Sequence, residues 1–171
     1  MTGMVMRGTL SYGDAEYSSF PGAPCYAGQT PAQGCLAATT AIPYLHQDLE
    51  GVDTALAPAW TGSLGFDYDR LVGSGFRFGV SGNARFSDSY LISPFGNPVD
   101  REGSYVMLDA ALRFGDEAGH WEVALIGKNL TNEYILTYGQ DAPSTGAGTG
   151  TAAGVPADQF GFALPRRTLP I

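Results

Sequence analysis

The sequence predicts an all-β fold, arranged as an antiparallel up-and-down meander of about five to six long strands. Apolar residues recur at every second position over several segments, which is the period of a strand with one apolar face. Glycine-rich turns separate these segments. Short and long connections alternate between them, so in a meander every long connection lies at the same end of the sheet.

The composition excludes several classes of protein. The 171 residues suit one domain, yet only 15% are charged, against about 25% in an average soluble domain. The nine Lys and Arg are scattered and the net charge is -8, which argues against nucleic-acid binding. No run approaches the roughly 18 to 20 consecutive apolar residues of a membrane-spanning helix. The first residues also lack the pattern of a secretory signal.

The first two predicted strands run from Met4 to Tyr12 and from Trp60 to Asp69. In both segments, large apolar side chains occupy the even-numbered positions. These positions are Met4, Met6, Leu10, Tyr12, Trp60, Leu64, Phe66 and Tyr68. The positions between them are mostly polar or small, so each strand has one apolar and one polar face.

The third predicted strand, over residues 76–86, shows the clearest alternation, and the fourth, over residues 105–114, follows the same rule. Their apolar positions are Phe76, Phe78, Val80, Ala84, Phe86, Val106, Leu108, Ala110, Leu112 and Phe114. A fifth strand is predicted from Trp121 to about Tyr134, where the alternation is less regular. A sixth strand is expected to begin near Arg166.

The connections fall into two classes. Residues 71–75 and 115–119 form short turns, whereas long links span about residues 18–58, 91–104 and 139–157. The sequence predicts no regular structure in the long links, and structureless links of this length are unusual in a compact soluble domain.

The two cysteines, Cys25 and Cys35, lie in a segment rich in Pro, Gly, Ala and Gln. Their proximity within one loop predicts a local disulfide, which implies an oxidising compartment; unpaired thiols are the alternative. The loss of chain entropy in so short a ring is worth about 2.5 to 3 kcal/mol.

Two architectures share this period: a soluble sandwich or small barrel with its apolar face inward, and an outer-membrane barrel with its apolar face toward lipid. Strands of about 11 to 14 residues exceed the usual 5 to 6 and suit a tilted bilayer crossing. Aromatic residues near strand ends resemble interfacial girdles. These are Tyr12, Trp60, Tyr68, Phe76, Phe86, Tyr90, Phe114 and Trp121. Together these features favour the membrane architecture.

The polar face carries charges of both signs, which suits a hydrated lumen with ion pairs. The candidates for lumen-facing side chains are Arg77, Arg85, Asp109, Arg113, Glu122 and Lys128.

Other reactive side chains are isolated in the sequence. His46 and His120 lack partners for a metal site, and both are expected to be solvated. Asp14 and Glu16 could coordinate a cation or form an acid pair, although exposed carboxylates usually do neither. No nucleophile, base and orienting acid can be assembled. The sequence therefore indicates neither an enzyme nor a cofactor site.

Two short motifs carry a family resemblance. The segment Asn129-Leu130-Thr131-Asn132 lies within the fifth predicted strand, and Pro165-Arg166-Arg167-Thr168 opens the sixth. In this order and setting they resemble the carboxy-terminal part of TonB-dependent outer-membrane receptors. Residues 20–35 and 56–60 also look like a loop and a strand start in one branch of that family.

The resemblance implies a 22-stranded transmembrane barrel, filled by an amino-terminal plug, in the outer membrane of a Gram-negative bacterium. Such receptors import scarce nutrients, for example ferric siderophores, with energy from the TonB complex that contacts the plug region. Residues 1–171 are expected to form the carboxy-terminal strands of the barrel domain, without the plug and without the end of the last strand. Because the smallest closed barrels have about 8 strands, an open sheet is expected. The fragment alone is expected to be inactive.

The competing interpretation is a soluble, secreted β-sandwich that binds a carbohydrate or protein ligand through its long loops.

Overall fold

The computed structural model of the chain describes residues 3–142 and 159–169. It is all-β, apart from a single 3-10 turn at Pro31–Gln33 in the described residues. The strands, in chain order, are β1 (Gly3–Tyr12), β2 (Ala23–Pro24), β3 (His46–Gln47), β4 (Trp60–Val72), β5 (Phe76–Ser87), β6 (Tyr90–Leu91), β7 (Arg101–Glu102), β8 (Tyr105–Asp116), β9 (Glu122–Gly127), β10 (Leu136–Asp141) and β11 (Gln159–Ala163). Within these ranges, no helix is both long and apolar enough to cross a membrane.

Five strands form one antiparallel sheet in the order β1-β4-β5-β8-β9. Every neighbouring pair in this sheet is antiparallel, which confirms the predicted antiparallel meander of about five strands. The first four strands contain 10, 13, 12 and 12 residues, and the fifth contains 6.

Short turns join the long strands at one end of the sheet, which we call the turn end. Gly73 and Gly75 have φ angles of 64° and 98°, and Gly119 has a φ of 78°. Because a side chain disfavours this left-handed backbone, glycine suits these positions. The predicted turns therefore lie where the sequence placed them.

The fifth strand is shorter than predicted. The sequence suggested a strand to about Tyr134, but β9 ends at Gly127. Asn129 and Asn132 both adopt left-handed φ angles, of 50° and 58°, which turn the chain away from the sheet. The sixth predicted strand is represented in the described residues by one bridge, between Lys128 and Thr168.

The prediction that the long links lack regular structure was wrong for the described parts. The links contain the small sheets β2-β3, β6-β7 and β10-β11. We call residues 13–59, 88–104 and 135–142 the loop cluster. Residues 143–158, which hold most of the third link, lie outside the described residues.

The loop cluster also contains most of the buried apolar side chains. These are Ala23, Cys35, Leu49, Tyr90, Leu91, Ile92 and Ile135; Met107 in β8 is also buried and lines a recess together with Tyr90. Hydrogen bonds tie the links to one another: the Leu56 N–H donates to the Leu91 carbonyl and the Gly139 N–H to the Ile92 carbonyl, at 2.8 and 2.9 Å. The core of the described chain therefore lies at the loop end of the sheet.

Two sequence-based expectations fail in this cluster. His46 is buried, with 6% of its surface exposed, because β3 packs inside the loop cluster. Tyr90 was predicted to be an aromatic residue of the apolar face, but it lies in β6, where its hydroxyl donates to the Leu136 carbonyl at 2.9 Å.

Candidate functional site

The most extensive surface feature is the apolar face of the central sheet. Side chains directly opposite one another in neighbouring strands share a face, so the register assigns each residue to a face. The large members are Met4, Met6, Leu10, Tyr12, Trp60, Leu64, Phe66, Tyr68, Phe76, Phe78, Val80, Phe86, Val106, Leu108, Leu112, Phe114, Val123 and Leu125. Leu10, Leu64, Leu112 and Leu125 are 67%, 55%, 46% and 51% exposed. An exposed apolar surface of this extent indicates a partner or a nonaqueous environment.

Aromatic residues form two groups on this face, at opposite ends of the sheet. At the loop end, the ring centroids of Tyr12 and Trp60 are 4.7 Å apart. At the turn end, Phe76 stacks on Phe114 with centroids 5.5 Å apart, and Trp121 lies against both. The apolar face is therefore bounded at each end by aromatic side chains.

Two glycines let aromatic rings lie against the sheet. A Cβ atom at Gly62 would stand 2.3 Å from Cε1 of Phe86, and one at Gly82 would stand 2.5 Å from Cε1 of Phe66. Any side chain at these positions would displace the ring. The rings of Phe86 and Phe66 thus occupy the space that side chains at Gly62 and Gly82 would need, and they cover the backbone there.

Arg70 is a charged residue on the apolar face. It lies opposite Phe78 in β5, close to the aromatic group at the turn end. A long guanidinium side chain near the edge of an apolar band can extend its charged end toward water while its methylenes stay on the apolar surface. Arg70 therefore lies near the end of β4 and not at the middle of the apolar face.

The opposite face of the sheet is polar and crosslinked between strands. Arg7 of β1 pairs with Asp67 of β4. Thr9 and Ser63 place their hydroxyl oxygens 2.8 Å apart. We call this surface the polar face.

Two further ion pairs lie on the polar face, one toward each end of β5. The Nη2 of Arg85 lies 3.4 Å from Oδ2 of Asp109. The Nη2 of Arg113 lies 3.6 Å from Oδ2 of Asp69, although β8 and β4 are not neighbours. This pair crosses β5 at Gly79, where a Cβ would stand 2.8 Å from Asp69 Oδ1 and 3.0 Å from Arg113 Nε.

All but one of the predicted lumen-facing residues lie within these strands, and the register places them together. Arg77, Arg85, Asp109, Arg113 and Glu122 share the polar face.

Lys128 follows the end of β9 and lines a recess of about 530 Å³ on the same face. The recess also contacts Arg7, Asp67, Asn83 and Asp109. Arg7 was not among the predicted residues. The alternation in β1 had placed it on the polar face, but its pairing with Asp67 depends on the register between strands.

The two family-like motifs meet in space at the end of β9. Asn129 is 3% exposed, and its Nδ2 donates to the carbonyls of Glu133 and Pro165, at 2.8 and 3.2 Å. The Arg167 N–H reaches Asn132 Oδ1 at 3.4 Å. The guanidinium carbon of Arg166 lies 5.2 Å from the ring centroid of Tyr134. Leu130 packs against Gly127: a Cβ atom at Gly127 would stand 2.6 Å from Cδ2 of Leu130.

Cys25 and Cys35 form a disulfide in the loop cluster, with Cα atoms 5.8 Å apart. The same loop is held by the Gln47 side chain, whose Nε2 donates to the carbonyls of Pro24 and Phe95, each at 2.8 Å. The Ala27 N–H donates to Asp141 Oδ2 at 2.7 Å, which joins the loop to β10.

Two titrating groups of the loop cluster are perturbed. Burial raises the pKa of Tyr90 to about 12, with smaller contributions from Tyr105 and Glu102. Burial also raises the pKa of Asp100; the negative charge of Asp141 adds to this effect, whereas hydrogen bonds from Gln159 and Ser93 oppose it. Oδ2 of Asp100 has no hydrogen-bond partner among the described residues.

The remaining ionisable side chains singled out in the sequence lie apart from one another. The described ranges contain no group of three or more His, Cys, Asp or Glu side chains that could hold a metal ion. The His120 Nδ1 lies 2.6 Å from Oδ2 of Asp116 at the exposed turn end. Asp14 and Glu16 are exposed, and Glu16 forms a backbone bridge with Asp53.

The two faces of the central sheet are therefore the candidate functional surface, with a polar, ion-paired side and an exposed apolar side.

Comparison of the chain with protein-family models, with curated proteins and with solved structures found no match.

Proposed function

We propose that the chain is a wall segment of an outer-membrane TonB-dependent receptor, a 22-stranded barrel for the active uptake of a scarce nutrient such as a ferric siderophore. The apolar face contacts outer-membrane lipid, and the polar face lines the lumen. In the whole receptor, the TonB complex acts through the amino-terminal plug region. The segment itself contributes wall and loops, and it carries out no chemistry.

The exposed apolar face carries this proposal. A soluble sandwich buries the apolar face of each sheet against a second sheet, at a spacing of about 10 Å. Here Leu64 and Leu112, in the two strands that flank β5, keep 55% and 46% of their surface exposed. Water is an unfavourable neighbour for so much apolar surface, whereas lipid chains are a favourable one.

The spacing of the aromatic groups supports a membrane crossing. Phe76 marks the turn end of β5 and Phe86 marks its loop end, ten residues later. At about 3.3 Å per residue, the two lie about 33 Å apart along the strand. A strand tilt of about 40° reduces this to a height of about 25 Å, which is the height of the apolar band in outer-membrane barrels.

The polar face supports the assignment of a lumen. Arg7, Asp67, Arg113 and Asp69 form cross-strand ion pairs that remain partly exposed. Side chains of this kind need water, and a lipid-facing position would penalise each of them. Opposite solvents on the two faces therefore account for both sets of residues.

The loop end corresponds to the extracellular side in this proposal, because long loops of such barrels lie outside and short turns lie in the periplasm. The disulfide between Cys25 and Cys35 agrees with an oxidising location. The choice of a nutrient receptor, rather than another outer-membrane barrel, is supported by the resemblance of residues 129–132 and 165–168 to the family motifs.

The test is a lipid-quenching experiment on the full chain, reconstituted in phosphatidylcholine vesicles. Single cysteines replace Leu112 and Ala111, which are adjacent in β8 and lie on opposite faces. The native cysteines are joined in a disulfide, so only the introduced thiol takes a fluorescent label. Brominated acyl chains are expected to quench the label at position 112, and aqueous iodide is expected to quench the label at position 111.

Equal quenching of the two labels by brominated lipid would overturn the proposed facing. A protein that stays in the aqueous phase as a monodisperse monomer, without vesicles or detergent, would overturn the membrane assignment itself. The two positions differ by one residue along β8, about 3.3 Å, so depth accounts for little of any difference between them.

A further inference from the structure

Several hydrogen bonds connect the end of β9 with the carboxy-terminal segment. β9 ends at Gly127, and residues 128–133 turn away from the sheet. Residues 164–169 then return to the same place from a distant part of the chain. Lys128 and Thr168 exchange two backbone hydrogen bonds there, at 3.0 and 3.1 Å. The junction therefore decides how the returning segment aligns with the sheet.

Asn129 lies at the centre of this junction and is 3% exposed. Its backbone N–H donates to Oδ1 of Asp109 in β8, at 2.8 Å. Its Oδ1 accepts from the Glu133 N–H at 2.9 Å, which closes the turn. The residue is thus attached to the sheet on one side and to its own turn on the other.

The Asn129 carboxamide has two N–H donors, and the two serve different segments. One donates to the Glu133 carbonyl within the turn, at 2.8 Å. The other donates to the Pro165 carbonyl of the returning segment, at 3.2 Å. A buried donor without an acceptor is unfavourable, so the second N–H is satisfied only when Pro165 is in place.

We propose that Asn129 fixes the register in which the segment 164–169 pairs with Lys128, directly after the end of β9. Its buried carboxamide is fully bonded in one alignment of that segment, with Pro165 over the turn and Thr168 opposite Lys128. A slip of one residue would withdraw the Pro165 carbonyl and also exchange the two faces of the added strand. Asn129 is thus a positioning residue, and this role holds whichever solvent the apolar face meets.

The left-handed backbone at position 129 offers a competing explanation, because asparagine tolerates this conformation better than most residues. Glycine separates the two explanations. Asn129→Gly keeps the left-handed backbone at φ 50° and removes only the side chain. Asn132→Gly is the matched control, since Asn132 has a φ of 58° and an exposed side chain with one long contact to the Arg167 N–H, at 3.4 Å.

The experiment measures hydrogen exchange of individual backbone amides in the full chain, in detergent micelles. In Asn129→Gly, the Thr168 amide is expected to exchange at least about tenfold faster than in the parent. The reason is that a segment no longer held in register loses the hydrogen bond from the Thr168 N–H to the Lys128 carbonyl. The amides of β8 are expected to remain protected. In Asn132→Gly, the Thr168 amide is expected to change by less than about threefold.

A Thr168 amide that is equally protected in Asn129→Gly and in the parent would overturn the proposal, because backbone conformation alone would then suffice. Asn129→Asp provides a second variant in case glycine unfolds the turn. It retains an acceptor for the Glu133 N–H and removes both side-chain donors. Faster exchange of Thr168 with a protected Glu133 amide supports the proposal, and unchanged exchange of Thr168 contradicts it.

Discussion

The central sheet and the loop cluster obtain their order from different sources. The sheet is regular, yet both its faces remain largely open, and its strands are joined by backbone ladders and cross-strand pairs. The loop cluster has little regular structure, yet it buries side chains such as Leu49 and Ile135, at 2% and 0% exposure. The regular part thus depends on its surroundings for apolar contacts, whereas the irregular part supplies its own.

The two regions also differ in charge. The loop cluster contains nine acidic residues and one arginine, Arg101, which leaves -8 and equals the net charge of the whole chain. The remainder of the chain is therefore balanced, in agreement with the paired charges on the polar face. The net charge reflects the loops and not the sheet.

Truncation of leucine is expected to show the largest difference between the two regions. Leu49 packs on Gly96 in the loop cluster. A Cβ atom at Gly96 would stand 2.7 Å from Cδ2 of Leu49. Leu49→Ala should destabilise the cluster by about 2 to 5 kcal/mol, because it leaves a cavity. Hydrogen exchange of the Tyr17 and Leu56 amides measures this loss, since both bond within the cluster.

The matched variant is Leu112→Ala on the apolar face. Leu112 is 46% exposed, so lipid or detergent chains can fill the space that the truncated side chain leaves. A smaller loss is expected in micelles. Equal losses at both positions would mean that the apolar face is packed against something as firmly as the loop core.

A charge placed on the sheet should distinguish its two faces. Val80 and Ser81 are adjacent near the middle of β5, midway between the aromatic groups. If the proposed facing holds, Val80→Arg should cost about 2 to 4 kcal/mol in a bilayer, and Ser81→Arg should cost much less because position 81 lies on the polar face. Urea unfolding in vesicles, followed by Trp fluorescence, measures both; a larger loss for Ser81→Arg would reverse the assigned facing.

Removal of the disulfide should affect the loop cluster alone. Replacement of Cys25 and Cys35 by serine releases a ring worth about 2.5 to 3 kcal/mol of loop-cluster stability. Amides near it, such as those of Gln29 and His46, should exchange faster. The β5 amides serve as the internal control, and increased exchange there would show that the loop cluster supports the sheet.

The smallest effect is expected from an ion pair on the polar face. Arg113→Gln removes the contact with Asp69, but the two side chains are 34% and 32% exposed, so screening limits the loss to about 0 to 1 kcal/mol. Arg77→Gln is the control on the same face, since Arg77 has no ion pair within residues 3–142 and 159–169. A loss above about 2 kcal/mol would indicate that the pair is shielded from water.

The sequence predicted the sheet well because the alternation of apolar and polar residues that indicates a strand is visible within each short segment of the chain. Alternation placed Phe76 and Val80 on one face and Arg77 and Arg85 on the other, and the register agrees. The end of β9 was missed because it depends on the left-handed backbone of Asn129, which is bonded to Pro165, 36 residues away.

The loop cluster could not be predicted in the same way. His46 pairs with Pro24 and Leu36, 22 and 10 residues before it in the same link, and no local pattern encodes these contacts or the burial of His46. The partners within ion pairs were also beyond prediction. Arg113 meets Asp69 because glycine occupies position 79 of the strand between them, and that position becomes visible only with the register.

The hydrogen bond between the Ala27 N–H and Asp141 Oδ2 joins residues 114 positions apart. A contact of this span forms late, because closing so long a loop costs conformational entropy that this one hydrogen bond does not offset. The meander between them brings the two loops together only after its strands have aligned. Formation of the loop cluster would then mark the completion of the sheet, and the slowest phase of refolding should appear in the amide of Ala27.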